Sequence, residues 1–237
     1  MQDLSLCRGF QIVACLVLLS SITFAQSQDR AKLEKDIETL RDQLKQKDDE
    51  FLTAAPEDRA QFADFLSQPG TGLARLLPRQ MYSEKLSIRG GGAYYSFTKR
   101  NNSYDNDPQI GLEQGYLRTG FAGANFGFLA LLGDTALENV GIEDPPVHYL
   151  AAFAAPIAEP EAREQQSRSS IGIMVGATKF KNRLPVTIGG IYVLRSVNYD
   201  SSDVLVAFRI VRQDTDGSVI LLWKKLREFP TPFLTRP

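Results

Sequence analysis

The chain has almost no cysteine: Cys7 and Cys15 are its only two, and both lie within the first 25 of its 237 residues. The remainder is therefore without disulfides, thiol nucleophiles and thiolate metal ligands. A chain of this length can bury a core without covalent staples, which favours a bacterial envelope protein over a small eukaryotic secreted domain. Histidine is scarcer still, with His148 alone. A Ser–His–Asp triad would have to use it, and no nucleophile-elbow pattern accompanies it. A zinc site would need several carboxylates around this one imidazole. Within PPVHYLAAF, His148 alternates with apolar neighbours, the pattern of a structural histidine on a strand. No catalytic residue, metal ligand or cofactor is assigned.

An excess of positive charge is also missing. Against 28 Asp and Glu stand 27 Lys and Arg, a formal net charge of −1, and a nucleic-acid binder would carry a basic face with a clear surplus. No nucleic-acid partner is expected. The nearest basic block, Lys224-Lys225-Leu226-Arg227, alternates as an exposed strand edge does, where lysine guards against edge pairing.

Long apolar runs are absent except near the start. Residues 1–25 have a short polar beginning with Arg8, an apolar stretch from Ile12 to Leu19 and a small-residue exit at Thr23-Phe24-Ala25, the layout of a secretory signal peptide. The stretch is short for a membrane span, so an uncleaved membrane anchor is the lesser alternative. Ile12-Val13-Ala14-Cys15 looks like a lipoprotein box, but most of the apolar run follows Cys15, where a lipid-attachment signal would need it before. The expected location is outside the cytoplasm, in the bacterial periplasm or beyond the cell.

What is present divides the rest of the chain. Residues 26–52 form a charged helical stalk with Leu33, Ile37, Leu40, Leu44 and Phe51 at alternating steps of four and three, Lys47 filling the missing seam position. That is a coiled-coil stripe about three heptads long. It implies either a homo-oligomer joined through these residues or a solvated arm. Residues 53–80 read as a helical connector: Pro56 suits a first turn, Phe62, Phe65 and Leu66 share a face, and Leu73, Leu76 and Leu77 repeat the spacing.

Residues 81–237 change to short β-branched and aromatic runs punctuated by Gly, Asn, Asp and Pro. Strands are predicted near 86–99, 110–121, 125–132, 147–154, 171–180, 186–199, 203–213 and 218–227, with the polar stretch 159–170 as a linker or long loop. The fold class is mostly β with an N-terminal α segment: an antiparallel β-sandwich or partly open barrel. At the C-terminal end, a four-residue loop at Asp214-Thr215-Asp216-Gly217 pairs Gln213 with Ser218. It also sets Ile210 against Leu221 and Phe208 against Trp223, so that the apolar faces coincide. The two aspartates lack the ligand spacing of an EF-hand and read as turn formers.

The triple glycine in IRGGGAYYSF poses a choice. Leu86 and Ile88 are apolar on even positions, Ala93, Tyr95 and Phe97 on odd ones, and a β-bulge would switch the face in this way. A phosphate cradle would instead open a helix. Beyond the glycines, Tyr94, Tyr104, Asp105 and Asp107 are the candidate ligand-binding residues, a tyrosine, amide and carboxylate set suited to a sugar or, through oxygens, to calcium. The plain alternative is that Asn and Asp only form turns there.

These observations support an exported, non-catalytic β-rich protein acting in binding or envelope architecture, with an envelope protein or a glycan as partner. The rival is a secreted carboxylate-dependent hydrolase acting on glycans, drawing its acid pair from Asp105, Asp107, Glu113, Glu138, Glu143 and Asp144.

Overall fold

The structure, a computed structural model, describes residues 29–81, 86–105, 107–133 and 135–235. The expected signal segment, 1–25, lies outside the described residues. Among them, no helix is long and apolar enough to cross a membrane. The chain divides into two units, Met1–Lys47 and Asp48–Pro237.

In the first unit the described residues belong to helix α1, which spans 29–52. Leu33, Ile37, Leu40 and Leu44 are exposed along it, and Arg30 pairs with Glu34 one turn on. The final turn belongs to the second unit. There Asp48 accepts hydrogen bonds from the Ser87 amide at 2.8 Å and from the Ser87 hydroxyl, and Leu52 is buried. Phe51 has the Arg75 guanidinium over its ring, 5.5 Å from the centroid.

The second unit opens with two short helices, α2 (Pro56–Gln61) and α3 (Ala63–Leu66), and is built on a five-stranded antiparallel sheet. Its order is β1 (Thr71–Leu76), β11 (Val219–Phe229), β10 (Ser202–Gln213), β9 (Ile191–Asn198), β5 (Phe126–Gly133). A four-stranded antiparallel sheet, β2 (Tyr94–Tyr95), β3 (Ile110–Glu113), β4 (Tyr116–Arg118), β8 (Arg183–Pro185), covers one face. There Tyr95, Phe97, Ile110 and Leu117 pack on Tyr192, Val206, Phe208, Leu221 and Trp223. On the other face Phe126, Val193, Leu205 and Ala207 pack with Val147 and Leu150 of α4 (Pro145–Ala152) and Ala162 of α5 (Glu159–Ile171). A small hairpin, β6 (Ile173–Val175) and β7 (Thr178–Phe180), adds a third sheet. The arrangement is sandwich-like and not a closed barrel. Because both faces of the central sheet are covered, every residue of β9 is buried.

Several local expectations are corrected. The predicted strand 147–154 is instead helical as far as Ala152. Pro145 sets the first turn, and Val147, Leu150 and Ala151 form the buried i, i+3, i+4 face. His148 is exposed on that helix and is not a core histidine. The polar stretch 159–170 is α5, stabilised by Arg163–Glu159 across one turn and closed by Gly172 at φ 99°. Leu73, Leu76 and Leu77 mimic a helical spacing, yet Thr71–Leu76 is an edge strand paired with the long β11. Tertiary pairing has overridden local pattern. The predicted strand 110–121 is a hairpin, turned at Gln114 and Gly115 with φ 51° and 74°, the left-handed pair of a type I′ turn. The glycines at 90–92 are not a bulge: all three have positive φ, and the Gly91 and Ala93 amides bond back to Ile88 and Gly90. They form a tight turn ahead of β2.

The C-terminal hairpin keeps the expected core register, Ile210 opposite Leu221 and Phe208 opposite Trp223. Nearer the loop, however, Gln213 faces Val219 rather than Ser218, and a bulge between Ile210 and Arg212 absorbs the difference. The Trp223 ring lies across Gly72 of β1, where an added Cβ would come within 2.6 Å of it. Phe97 meets it edge-on at 5.3 Å, and the Arg100 guanidinium stands over it at 5.3 Å.

A buried cation joins the layers. Arg195 forms a two-pronged pair with Asp203, at 2.9 and 2.8 Å, and donates to the Leu150 and Phe153 carbonyls at the end of α4.

Trp223→Ala is expected to cost about 3–5 kcal/mol as a large core truncation, and Gly72→Ala about 1–3 kcal/mol by crowding the ring. Urea denaturation measures both, and an unchanged midpoint for Gly72→Ala would refute the close approach of ring and backbone.

Candidate functional site

Alternation along the small sheet separates core from surface. Tyr95 and Ile110 point into the core, so their neighbours Tyr94 and Gly111 face the other way. Tyr94 pairs with Gly111, and Gly111 with Arg118, so that three residues stand in a row across β2, β3 and β4. Gly111 makes room in the middle of that row for the Tyr94 and Phe121 rings. A Cβ there would sit 3.0 Å from the Tyr94 ring and 3.1 Å from that of Phe121.

Loops raise walls around this floor. The turn at 88–92 supplies Arg89 and Gly90, a short 3₁₀ turn at Arg79–Met81 supplies Arg79, and the segments beyond β2 and β4 bring in Tyr104, Gly120 and Phe121. The result is a cleft of about 530 Å³ lined by these residues together with Tyr94, Gly111, Leu112, Glu113 and Arg118. Tyr94 meets Tyr104 at 4.9 Å and 72°, and Phe121 at 5.0 Å and 90°. Both contacts are edge-to-face, the favoured aromatic geometry. Gly90 permits the tight turn at φ 90°, and a side chain there would strike the Tyr94 ring.

Charge is arranged around one carboxylate. Glu113 accepts from Arg79 at 3.1 Å and from Arg118. The Arg118 hydrogen bond chiefly, with the surrounding guanidinium charges, holds its carboxyl below the usual carboxylate range against the opposing effect of burial. Arg89 bonds Asp105 at the rim at 2.5 Å and lies over the Tyr104 ring, 5.3 Å from the centroid. Burial pushes the Tyr94 phenol above its ordinary value, with Arg79 and Arg118 pulling the other way. It therefore remains a protonated donor, and its hydroxyl has no hydrogen-bond partner among the described residues.

Of the four candidate residues, Tyr94 and Tyr104 line the cleft, and Asp105 reaches its rim through Arg89. Asp107 is elsewhere. It accepts from the side chains of Gln109 at 2.9 Å, Asn198 at 2.6 Å and Ser202, tying the 98–109 loop to the β9–β10 turn. Its φ of 58° is one that aspartate tolerates better than most residues. Glu143 and Asp144 immediately precede α4, Asp144 accepts from the Gly141 amide at 2.9 Å, and Glu138 lies in the short 3₁₀ turn Leu137–Asn139. Glu143 and His148 border a separate shallow depression with Tyr149 and Phe153. Asp214 and Asp216 pair with Arg212 and Arg75, and the described residues contain no cluster of three or more acids, histidines or cysteines able to hold a metal ion.

Sequence reasoning missed the three arginines and Phe121. The signal available was Gly111, a glycine inside a strand, which marks close approach of another group. No protein-family model, curated protein or solved structure matches the chain, so its geometry carries the functional reading.

Asp107→Ala is expected to destabilise the fold by about 1–3 kcal/mol, because it takes the acceptor from the buried Ser202 hydroxyl and one acceptor each from Gln109 and Asn198. Asp105→Ala, which breaks an exposed pair, should cost about 0–1 kcal/mol. Thermal melts of both variants check this ordering, and equal losses would contradict the division between scaffold and rim.

Proposed function

We propose that the protein is an exported, non-catalytic binding protein of the bacterial envelope that takes its ligand in the cleft on the outer face of the small sheet. One observation carries the reading: the cleft gathers Arg79, Arg118 and Tyr94 about Glu113, a carboxylate already engaged by two guanidinium groups, with Arg89 paired to Asp105 at the rim. Convergent polar groups in a partly aromatic hollow are the usual form of a small-ligand site. The rival glycan hydrolase needs a second carboxyl group across the cleft and an acid whose pKa is raised. Glu113 has its pKa lowered, and the other acids proposed for that role face the rim, the scaffold or the α4 side. The signal-like residues 1–25 support export, and the absence of cysteine beyond them favours a bacterial envelope protein over a small eukaryotic secreted domain.

Affinity capture from envelope extracts, read by mass spectrometry, tests this with wild type and a Tyr104→Ala/Phe121→Ala variant. A bound species is expected on wild type and not on the variant. Glycan cleavage that disappears in Glu113→Gln would replace binding by hydrolysis.

Residues Leu33, Ile37, Leu40 and Leu44 support a second element of the proposal, self-association through α1. The exposed stripe is narrow and flanked by charge, as a two-stranded seam is. Sedimentation should give a multiple of the subunit mass for the wild type and a single subunit for Ile37→Asp/Leu40→Asp, with the β-type circular dichroism retained. A monomeric wild type would leave α1 as a solvated arm.

A further inference from the structure

The cleft's chemistry narrows what it can hold. Arg79, Arg89 and Arg118 face two acids, Glu113 within the cleft and Asp105 at the rim. One positive charge is left over, in a protein whose formal net charge is −1. The surplus is therefore local. Among the described residues, each of the three guanidinium groups donates to its carboxylate through Nη1. Nε and Nη2 of each remain for a further acceptor, and a guanidinium edge offers two parallel N–H groups of the spacing that a carboxylate or phosphate accepts. The Tyr94 hydroxyl adds a neutral donor at the floor.

The aromatic rings give the cleft an apolar side. Tyr104 and Phe121 both meet Tyr94 edge-on, at 72° and 90°, so neither lies flat on the Tyr94 ring. Such edges and partial faces suit a puckered ring with an apolar side and peripheral hydroxyls. Gly90, Gly111 and Gly120 line the cleft, and the missing side chains at Gly90 and Gly111 leave the space into which the Tyr94 and Phe121 rings pack.

Resting on the reading of this cleft as the binding site, we infer that its ligand is an acidic saccharide, a sugar ring bearing a carboxylate or phosphate, with the oxyanion held by Arg79 and Arg118 and the ring against Tyr104 and Phe121. Glu113 then acts as a built-in counterion. It keeps the two guanidinium groups oriented in the empty cleft and weakens their hold on an incoming anion. Carboxylate and phosphate share this chemistry, and matched sugars separate them.

Amide chemical-shift titrations of the full-length protein with glucuronate, glucose 6-phosphate and glucose form the test. At least one of the acidic sugars should shift the Gly90, Gly111 and Gly120 amides saturably, and glucose should not. The tighter of the two acids identifies the oxyanion. Arg79→Gln/Arg118→Gln should weaken that binding by about tenfold or more, as expected for loss of charge-assisted bonds, and added salt should weaken it as well. Glu113→Gln keeps a carbonyl acceptor and removes the internal negative charge, so it should tighten binding. Glucose binding as well as the acids overturns the inference, and so does acid binding that survives the double arginine variant. If that binding is still lost in Tyr104→Ala/Phe121→Ala, the cleft remains the site and only the oxyanion assignment falls. Absence of any shift with either acid at millimolar concentration also overturns it, whereas capture of some other species by wild type alone would leave the cleft as the binding site.

Discussion

The layered unit depends on one buried cation. Arg195 is 3% exposed, on β9, with Asp203 of β10 equally buried beside it. Removing two ions from water costs several kcal/mol each, and attraction offsets that only where geometry and further hydrogen bonds are nearly complete. Here they are. Both oxygens of Asp203 are used, the remaining guanidinium nitrogen caps two carbonyls at the end of α4, and the ring of Phe229, the last residue of β11, lies 3.7 Å from the charge. Sheet, helix and C-terminal strand thus meet at a charge that none of them could bury alone. The helical layer is consequently not an optional cover on the sheet.

The opposite face of the central sheet is held by apolar contact, and this frees the small sheet for another task. Its inner residues complete the core while its outer residues remain available, and Tyr94 and Tyr95 express the division within two positions. The backbone that aims Tyr94 outward is fixed because Tyr95, Ile110 and Leu117 are packed. Side chains carried by such a rigid base hold their geometry without a ligand. Leu52 contributes from beneath. It lies where any side chain at Gly92 would have to go, so the last turn of α1 helps define the glycine turn at the cleft's edge.

Much of the architecture was legible from pattern, and the failures share a cause. Strands β5, β9, β10 and β11 of the central sheet stood out because aliphatic and aromatic residues dominate them, and the Phe208–Trp223 pairing followed from matching apolar faces. Thr71–Leu76 was hidden because its leucines fall at a spacing that a helix also uses, and only the long partner β11 decides between them. α5 was hidden because it buries little beyond Ala162 and Ser169, leaving no periodic apolar signal. At the site, Tyr94 and Tyr104 could be picked out by type and proximity to glycine. The arginines could not, since Arg79, Arg89 and Arg118 are spread over forty positions and are brought together by antiparallel pairing and turns. Asp107 carried the right chemistry for a ligand and was claimed by the scaffold instead.

The bulge beside Val211 separates two quantities that a simple hairpin ties together. In an unbroken ladder, lengthening the loop by one residue would turn every side chain of the strand to the wrong face. In this hairpin the extra residue is taken up between Ile210 and Arg212, above the level at which Phe208 meets Trp223. The tip of the hairpin is therefore a place where related chains could differ in length while their interiors stay superimposable, a tolerance that the edge strand at Gly72, pressed against the indole, does not share.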